Sequence, residues 1–357
     1  MLPWRDGTAT CRGSVAPADD APTDGSATFA WSTDDLRDTR TWVHRLTAEE
    51  TAECDAALHH PAVRGRPVEL IDVDAFERPT ITRLCRRITA ALRDGPGLFL
   101  VRGLPVVNHS EADLERLLWG LGSLLGVPVP QTVGGDRLRR VEDLGSELAL
   151  PSVRGHETNA PLALHSDRCD VVALLCVRPA AEGGTSIVVS ADQAHELLRQ
   201  RAPELLPVLY EPYPNDQRGE QPAGAPRWIP LPVFSMADGK LVTRYIRRFI
   251  MDAQRFPDVP RLSARQIEAL DALDVALGEP DAAVRMQLEA GDLQLLNSHR
   301  TLHGREAFAD HDARRRRLLL RLWLSPPWSQ RLPDVFRPLF GAVEAGVVRG
   351  GIAVRAG

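Results

Sequence analysis

Hydrophobic residues recur at helical spacing between about residues 47 and 125. Thr47 and Glu50 form a capping box, and Ser110 precedes a second apolar stripe as its cap. The helices predicted in this part are 47–59, 80–93 and 110–125, and compact apolar runs predict strands at 68–73 and 97–102.

Beyond about residue 136 the apolar runs become short, and Pro and Gly separate them. This pattern is typical of strands joined by turns. The predicted strands are 162–165, 171–177, 186–189, 233–234, 284–288, 293–296 and 318–323. Two further helices are expected, over 191–200 and over 263–278. Many short strands with turn signals predict a mainly β fold with flanking helices, built as a barrel or jelly roll.

No repeat or linker divides the chain, so residues 31–357 are predicted to form a single domain. Residues 1–30 are rich in Ala, Asp, Gly, Pro, Ser and Thr without an apolar period, which predicts a disordered tail. The β core is expected at about 97–328. Residues 205–260 are predicted to be an insert or a lid over a binding site.

Composition excludes several classes of protein. The chain has 43 basic and 48 acidic residues and a net charge of −5, which argues against nucleic-acid binding. No apolar run reaches the roughly 18 residues of a membrane span, and the first residues lack the apolar run of a signal peptide. Five cysteines without a CxxC motif favour a reducing compartment. A cytoplasmic protein without membrane or nucleic-acid partners is therefore expected, and a homo-oligomer is compatible with the sequence.

His165 and Asp167 lie two apart on a predicted strand, so their side chains project from the same face. His303 follows 138 positions later, on a return strand that a rolled sheet can bring alongside. Two imidazoles and a carboxylate on one face, with the opposite face open, suit a non-haem Fe(II) site. His299 is the competing ligand, and a position beside the site is the simpler interpretation for it.

Arg317 and Arg321 share strand parity and enter an apolar run, unlike Arg314–Arg316, which read as a solvated turn. A buried guanidinium is costly unless a carboxylate meets it. Arginine can hold a planar carboxylate through two parallel hydrogen bonds. A dicarboxylate co-substrate such as 2-oxoglutarate would supply that partner.

Four segments carry these features in order: ETNAPLALHSD, EGGTSIVVS, GDLQLLNSHRTLHGREAF and RRRRLLLRLWLS. Together they resemble the taurine dioxygenase family of Fe(II)/2-oxoglutarate-dependent oxygenases, which includes the clavaminate-synthase-like enzymes. The resemblance spans roughly 97–328. It implies a double-stranded β-helix core, a variant of the jelly roll. It also implies Fe(II) as cofactor, with 2-oxoglutarate and O2 as co-substrates.

Carried over by position, His165, Asp167 and His303 resemble the iron ligands of the family. They would accordingly be the catalytic residues. Arg317 resembles the arginine that binds the distal carboxylate of 2-oxoglutarate. The carboxylate at Asp167 argues against halogenating relatives, which have a small residue there.

Further roles follow from the same resemblance. Ser186 matches the hydroxyl that faces the distal carboxylate, with Thr185 as the alternative. Arg321 matches a second arginine on the substrate side. Asn159 is a candidate substrate contact, and a turn-capping role is the equal alternative.

The implied reaction is oxidation, above all hydroxylation, of an unactivated C–H bond of a small molecule. An amino acid or a natural-product intermediate is the expected substrate. Desaturation, cyclisation and epimerisation are alternatives, as are a protein or peptide hydroxylase and, least favoured, a non-catalytic binding protein. Arg244, Arg247 and Arg248 are candidates to meet an anionic substrate, although an exposed basic helix face is the simpler interpretation.

Overall fold

The computed structural model describes residues 30–145, 158–312 and 315–355, so residues 1–29 of the predicted tail lie outside the described part. The helices are Ala48–His59 (α1), Pro79–Arg93 (α2), Glu111–Leu125 (α3), Ala191–Arg201 (α4), Arg247–Ala253 (α5), Ala264–Leu277 (α6) and Arg337–Phe340 (α7). The strands are Val43–Arg45 (β1), Leu98–Arg102 (β2), Val127–Pro128 (β3), Leu138–Val141 (β4), Leu162–His165 (β5), Val171–Arg178 (β6), Glu182–Gly183 (β7), Ser186–Ser190 (β8), Tyr213–Asp216 (β9), Trp228–Leu231 (β10), Phe234–Ala237 (β11), Lys240–Thr243 (β12), Ala283–Met286 (β13), Leu293–Asn297 (β14), Thr301–Arg305 (β15), Phe308–Ala309 (β16) and Leu318–Ser325 (β17).

Two main sheets organise the chain. The larger has the order β1-β2-β14-β6-β17-β3, with β4 also paired to β17, and the smaller has the order β13-β8-β15-β5. All pairings in these two sheets are antiparallel except that of β1 with β2. The prediction of a mainly β fold with flanking helices is confirmed.

The two sheets lie face to face between layers of helices. On β17, Leu318 and Leu320 belong to one apolar cluster with residues of α1, α2 and α3, while Leu319 and Trp323 belong to a different cluster. There they join side chains of the smaller sheet such as Val188 in a shared core. The outer face of the smaller sheet packs on α4 and α6. Alternate residues of each strand therefore face the space between the sheets, where the polar site described below lies.

The helix starts follow the capping signals of the sequence. Thr47 and Glu50 form a complete capping box at α1, with both reciprocal hydrogen bonds present. Ser110 does the same with Asp113 at α3, and Ser263 with Gln266 at α6. Each box satisfies backbone N–H groups that the first helical turn leaves without partners.

The strand predicted at 68–73 is wrong. Two short 3-10 turns occupy this stretch, Val68–Leu70 and Val73–Phe76. Pro67 precedes the first turn, and the carboxylate of Asp72 accepts a hydrogen bond from the backbone of Asp74 at the second. Ile71 is buried and Leu70 is exposed, but the run has no strand partner, so it forms no strand.

Residues 205–260, the predicted insert or lid, fold into a 3-10 helix at Leu206–Tyr210, the hairpins β9–β10 and β11–β12, and α5. Their role as a lid and the single-domain organisation both stay predictions. Within the described ranges, no helix is both long and apolar enough to cross a membrane.

Gly304 allows β15 and β5 to approach closely beside the site. A Cβ atom there would lie 2.6 Å from the carbonyl oxygen of Leu162 and 3.3 Å from the amide nitrogen of Leu164. We therefore expect Gly304→Ala to lower the free energy of unfolding by about 1–3 kcal/mol, because the backbone must move to relieve the overlap.

Urea denaturation measures this change. The control is Gly134→Ala, since Gly134 is exposed and an added Cβ would lie 3.6 Å from the nearest atom, Thr132 Oγ1. That variant should stay within about 0.5 kcal/mol of the wild type. Equal stability of the two variants would contradict the close-packed strand pair.

Candidate active site

Three side chains converge in the space between the two sheets. His165 at the end of β5 pairs directly with His303 on β15, and Asp167 follows two residues later. The Nε2 atom of His165 lies 3.8 Å from Asp167 Oδ1, and the Nε2 atom of His303 lies 3.6 Å from Asp167 Oδ2. The three ligand atoms all lie within 4.8 Å of one another. Such spacing leaves room for one ion at metal–ligand distances of about 2.0–2.2 Å.

The protonation of the two histidines suits metal binding. The carbonyl oxygen of Ala163 lies 2.9 Å from His165 Nδ1 and accepts its proton, which leaves Nε2 with a lone pair towards Asp167. Burial lowers the pKa of His165, and burial together with repulsion from His165 lowers the pKa of His303 to about 3. Both imidazoles are therefore neutral at pH 7, which is the ligating form.

Asp167 is held as a carboxylate. Burial alone would raise its pKa, but attraction to Arg321, then to His303 and His165, brings the pKa well below its usual range. The indole N–H of Trp323 also donates to Asp167 Oδ2 at 3.1 Å. The donor set is thus two neutral imidazoles and one carboxylate, as a non-haem Fe(II) site requires.

His299 lies outside this cluster. Its Nε2 atom is 2.8 Å from Asp170 Oδ1, and the same carboxylate accepts hydrogen bonds from Arg349. The favoured sequence interpretation, a histidine beside the site, agrees with this placement.

A small cavity of about 50 Å³ lies next to the triad and is lined by Arg317. Arg317 is only 5% exposed, and its Nη1 atom is buried without a hydrogen-bond partner. Among the described residues, no carboxylate lies within 4.0 Å of its guanidinium. The ring of Phe308 covers one face at 5.1 Å. A buried, unpaired guanidinium beside a metal-type donor set fits a ligand that carries a carboxylate.

Of the two hydroxyl residues predicted to face 2-oxoglutarate, one lines the small cavity and the other does not. Ser186 lines the small cavity, with its Oγ 2.9 Å from the Gln294 amide nitrogen. Thr185 is not among the lining residues of that cavity, and its carbonyl accepts the backbone N–H of Glu306. Of the two hydroxyls, the structure therefore brings Ser186 to the site.

Arg321 lines both this cavity and a larger one. It donates from Nε to Gln131 Oε1 at 2.7 Å, and its Nη1 atom lies 3.9 Å from Asp167 Oδ2. Asn159 is exposed and lines neither cavity. Its carbonyl accepts the backbone N–H of Phe308, which is a contact of its backbone and not of its side chain.

The larger cavity, about 490 Å³, opens on the other side of the triad. His165 and Asp167 form part of its wall, and residues 215–220 and 246–249 of the predicted lid form another part. Arg168 and Arg244 also line it, and burial lowers the pKa of each to about 10. Repulsion from Arg168 adds to the lowering at Arg244.

Sequence reasoning missed several of these side chains. Gln294 is fully buried in an apolar strand, where an isolated polar residue signals a specific hydrogen bond. Arg305 follows His303 at strand parity and stacks on Phe308 at 4.6 Å. Trp323 shares the parity of Arg317 and Arg321, so the same alternation could have identified it.

The chain is similar to known oxygenases in sequence. Residues 67–323, well over half of the chain, match the family model described as "Taurine catabolism dioxygenase TauD, TfdA family". FR-33289 synthase of Streptomyces rubellomurinus is 32% identical over 313 residues, which cover 85% of this chain and 91% of the relative.

Solved structures give the same result at the level of fold. Asparagine oxygenase in complex with Fe(II), 2S,3S-3-hydroxyasparagine and succinate superposes with a TM-score of 0.63 at 20% identity, over 80% of this chain and 93% of that one. The non-heme iron oxygenase OrfP in complex with Fe and alpha-ketoglutaric acid gives 0.60 at 19% identity, over 79% and 94%. At this identity the likeness establishes a shared fold.

The family match and the full-length relative agree with the donor set and with the unpaired arginine beside it. The chain therefore belongs to the taurine catabolism dioxygenase TauD, TfdA family, and it is an Fe(II)- and 2-oxoglutarate-dependent dioxygenase.

Proposed function

We propose that His165, Asp167 and His303 hold the Fe(II) of this dioxygenase, inside a double-stranded β-helix formed by the two facing sheets. Three ligand atoms within 4.8 Å of one another, next to a buried arginine without a partner, are the observation that carries the proposal. When bound, Fe(II) couples the decarboxylation of 2-oxoglutarate by O2 to the oxidation of a C–H bond. Hydroxylation of a small molecule is the outcome that we favour.

The residues of the chain bind, orient and exclude water. His165 and His303 offer neutral imidazoles, and Trp323 holds the carboxylate of Asp167 in place. Arg317, assisted by the hydroxyl of Ser186, receives the distal carboxylate of 2-oxoglutarate in the small cavity. Arg321 stands between the two cavities on the substrate side.

The substrate that we propose is an amino acid or a natural-product intermediate. A cavity of about 490 Å³ has the size that small-molecule sites usually have. The asparagine oxygenase complex contains a hydroxylated amino acid, which supports this class. Desaturation, cyclisation, epimerisation and peptide hydroxylation use the same iron chemistry, and product analysis by mass spectrometry with candidate substrates distinguishes them.

The triad is tested by metal binding and by turnover. We expect His165→Ala and Asp167→Ala to lose stoichiometric Fe(II) binding and the formation of succinate from 2-oxoglutarate, because each removes one of three protein ligands. Anaerobic Fe(II) titration and a succinate assay measure the two effects, with circular dichroism as the test of folding.

His311→Ala is the control, since His311 is an exposed histidine paired with Glu182. It should bind Fe(II) like the wild type. Wild-type iron binding in both triad variants would refute the ligand assignment.

Arg317 is tested through the affinity for 2-oxoglutarate. Arg317→Ala should raise the apparent constant for 2-oxoglutarate at least about tenfold, since a charge-assisted hydrogen bond contributes about 1.5–3 kcal/mol and about 1.4 kcal/mol is one decade. Arg317→Lys should recover only part of the loss, because a point charge cannot replace the guanidinium fork.

Arg316→Ala serves as the matched control, as Arg316 is the exposed neighbour in the same arginine run. Arg321→Ala should weaken substrate binding more than 2-oxoglutarate binding. The opposite pattern, with 2-oxoglutarate lost at Arg321 and retained at Arg317, would transfer the carboxylate-binding role to Arg321.

A further inference from the structure

Two buried arginines in the wall of the larger cavity have only neutral partners. Arg168 is 9% exposed and Arg244 is 7% exposed. Arg168 donates from Nε to the carbonyl of Leu339 at 2.8 Å. Arg244 donates from Nη1 to the carbonyl and, at 3.3 Å, to the hydroxyl of Ser166. Within the described residues, neither guanidinium has a carboxylate inside 4.0 Å.

The other arginines that line this cavity each have a carboxylate within 4.0 Å, including Arg139 with Asp136 at 3.7 Å and Arg321 with Asp167 at 3.9 Å. Arg247 binds Asp271 at 2.6 Å and Asp274 at 3.2 Å. Arg218 binds Asp252 at 2.5 Å, and Arg248 binds the same carboxylate at 3.3 Å. The lack of a carboxylate partner is therefore a property of Arg168 and Arg244 and not of the whole wall.

Burying two like charges together is unfavourable without an anion between them. The two side chains line the same cavity, Arg168 next to Asp167 in sequence and Arg244 hydrogen-bonded to Ser166. Glu220 lies in the same wall and attracts both, but its carboxylate is not within ion-pair distance of either. Such an arrangement costs stability in the free protein, and an anionic ligand offsets that cost.

Both arginines are linked directly to the segment that contains Asp167, one through the chain and one through hydrogen bonds. Arg168 directly follows Asp167 in sequence, and Arg244 is bonded to Ser166, which directly precedes Asp167. The backbone of Tyr245 also pairs with Ser166 in both directions. An anion bound by the pair would therefore lie on the substrate side of the metal centre, in a different cavity from Arg317.

We propose that Arg168 and Arg244 form the binding site for a phosphate or phosphonate group of the substrate. Each guanidinium keeps N–H groups that no residue of the described chain accepts, namely Nη1 and Nη2 of Arg168 and Nε and Nη2 of Arg244. A tetrahedral dianion offers three oxygens and two charges to two guanidiniums, whereas one fork already satisfies a carboxylate. The inference rests on the proposed function, since it names the substrate class of that site.

The test is anion binding to the anaerobic enzyme loaded with Fe(II) and 2-oxoglutarate, so that the metal and Arg317 are already engaged. Methylphosphonate and acetate are titrated by calorimetry. We expect methylphosphonate to bind at least about tenfold more tightly than acetate to the wild type. Arg168→Gln and Arg244→Gln should each weaken methylphosphonate binding at least about tenfold.

Arg247→Gln is the matched control, because Arg247 lines the same cavity but is bound by Asp271 and Asp274. It should bind methylphosphonate like the wild type. The variants Arg168→Lys and Arg244→Lys keep the charge without the fork and should be intermediate. If a glutamine variant fails to fold, methylphosphonate binding to the corresponding lysine variant is measured instead.

Methylphosphonate binding that is unchanged in both arginine variants overturns the inference. Acetate binding as tight as that of methylphosphonate also overturns it, in favour of a carboxylate substrate. A separate measurement, succinate formation by the wild-type enzyme, tests the proposed function independently of the anion titration. Wild type that forms succinate from 2-oxoglutarate with Fe(II) keeps the proposed function, whatever the anion titration gives.

Discussion

The pairing of β15 with β5 is the constraint on which the rest of the site depends. In this antiparallel pair His303 stands directly opposite His165, so the two imidazoles share one face with ring centroids 4.4 Å apart. A slip of one residue would turn one imidazole to the opposite face of the sheet. Gly304 permits the close approach of the two strands, and Asp167 completes the donor set just past the end of β5.

Buried positive charge is the second organising feature. Arg305 and Arg317 stack against Phe308, Arg321 lies near Asp167, and Arg168 and Arg244 line the larger cavity. Desolvated guanidiniums are costly unless anions meet them. Their division between two cavities on either side of the triad matches a reaction that brings together an anionic co-substrate and a second ligand. Unpaired buried guanidiniums would lower the stability of the free enzyme, and pairing with bound anions would then strengthen ligand binding.

Much of the site could be predicted from strand alternation. Alternation along an extended chain predicted that His165 goes with Asp167 and Arg317 with Arg321, although Asp167 lies two residues past the end of β5 and Arg317 one residue before β17. The apolar run at 68–73 shows the limit of that rule. It has the composition of a strand but no neighbouring strand to pair with, and Pro67 and Asp72 turn it instead.

Contacts between residues far apart in the chain could not be predicted from the sequence. Arg244 looks like part of an exposed basic face, and only the fold brings the end of β12 against Ser166 and buries its guanidinium. Asn159 precedes the metal-binding strand, yet its side chain is exposed, and its backbone carbonyl accepts the N–H of the distant Phe308. In both cases a contact between segments far apart in sequence decides the outcome, and no local pattern encodes it.

The most direct measurement is a crystal structure of the enzyme grown anaerobically with Fe(II) and 2-oxoglutarate, with anomalous diffraction recorded at the iron edge. We expect one iron atom coordinated by His165, Asp167 and His303, with the distal carboxylate of 2-oxoglutarate on Arg317. Iron at another site, or that carboxylate on Arg168 and Arg244 instead, would contradict this assignment.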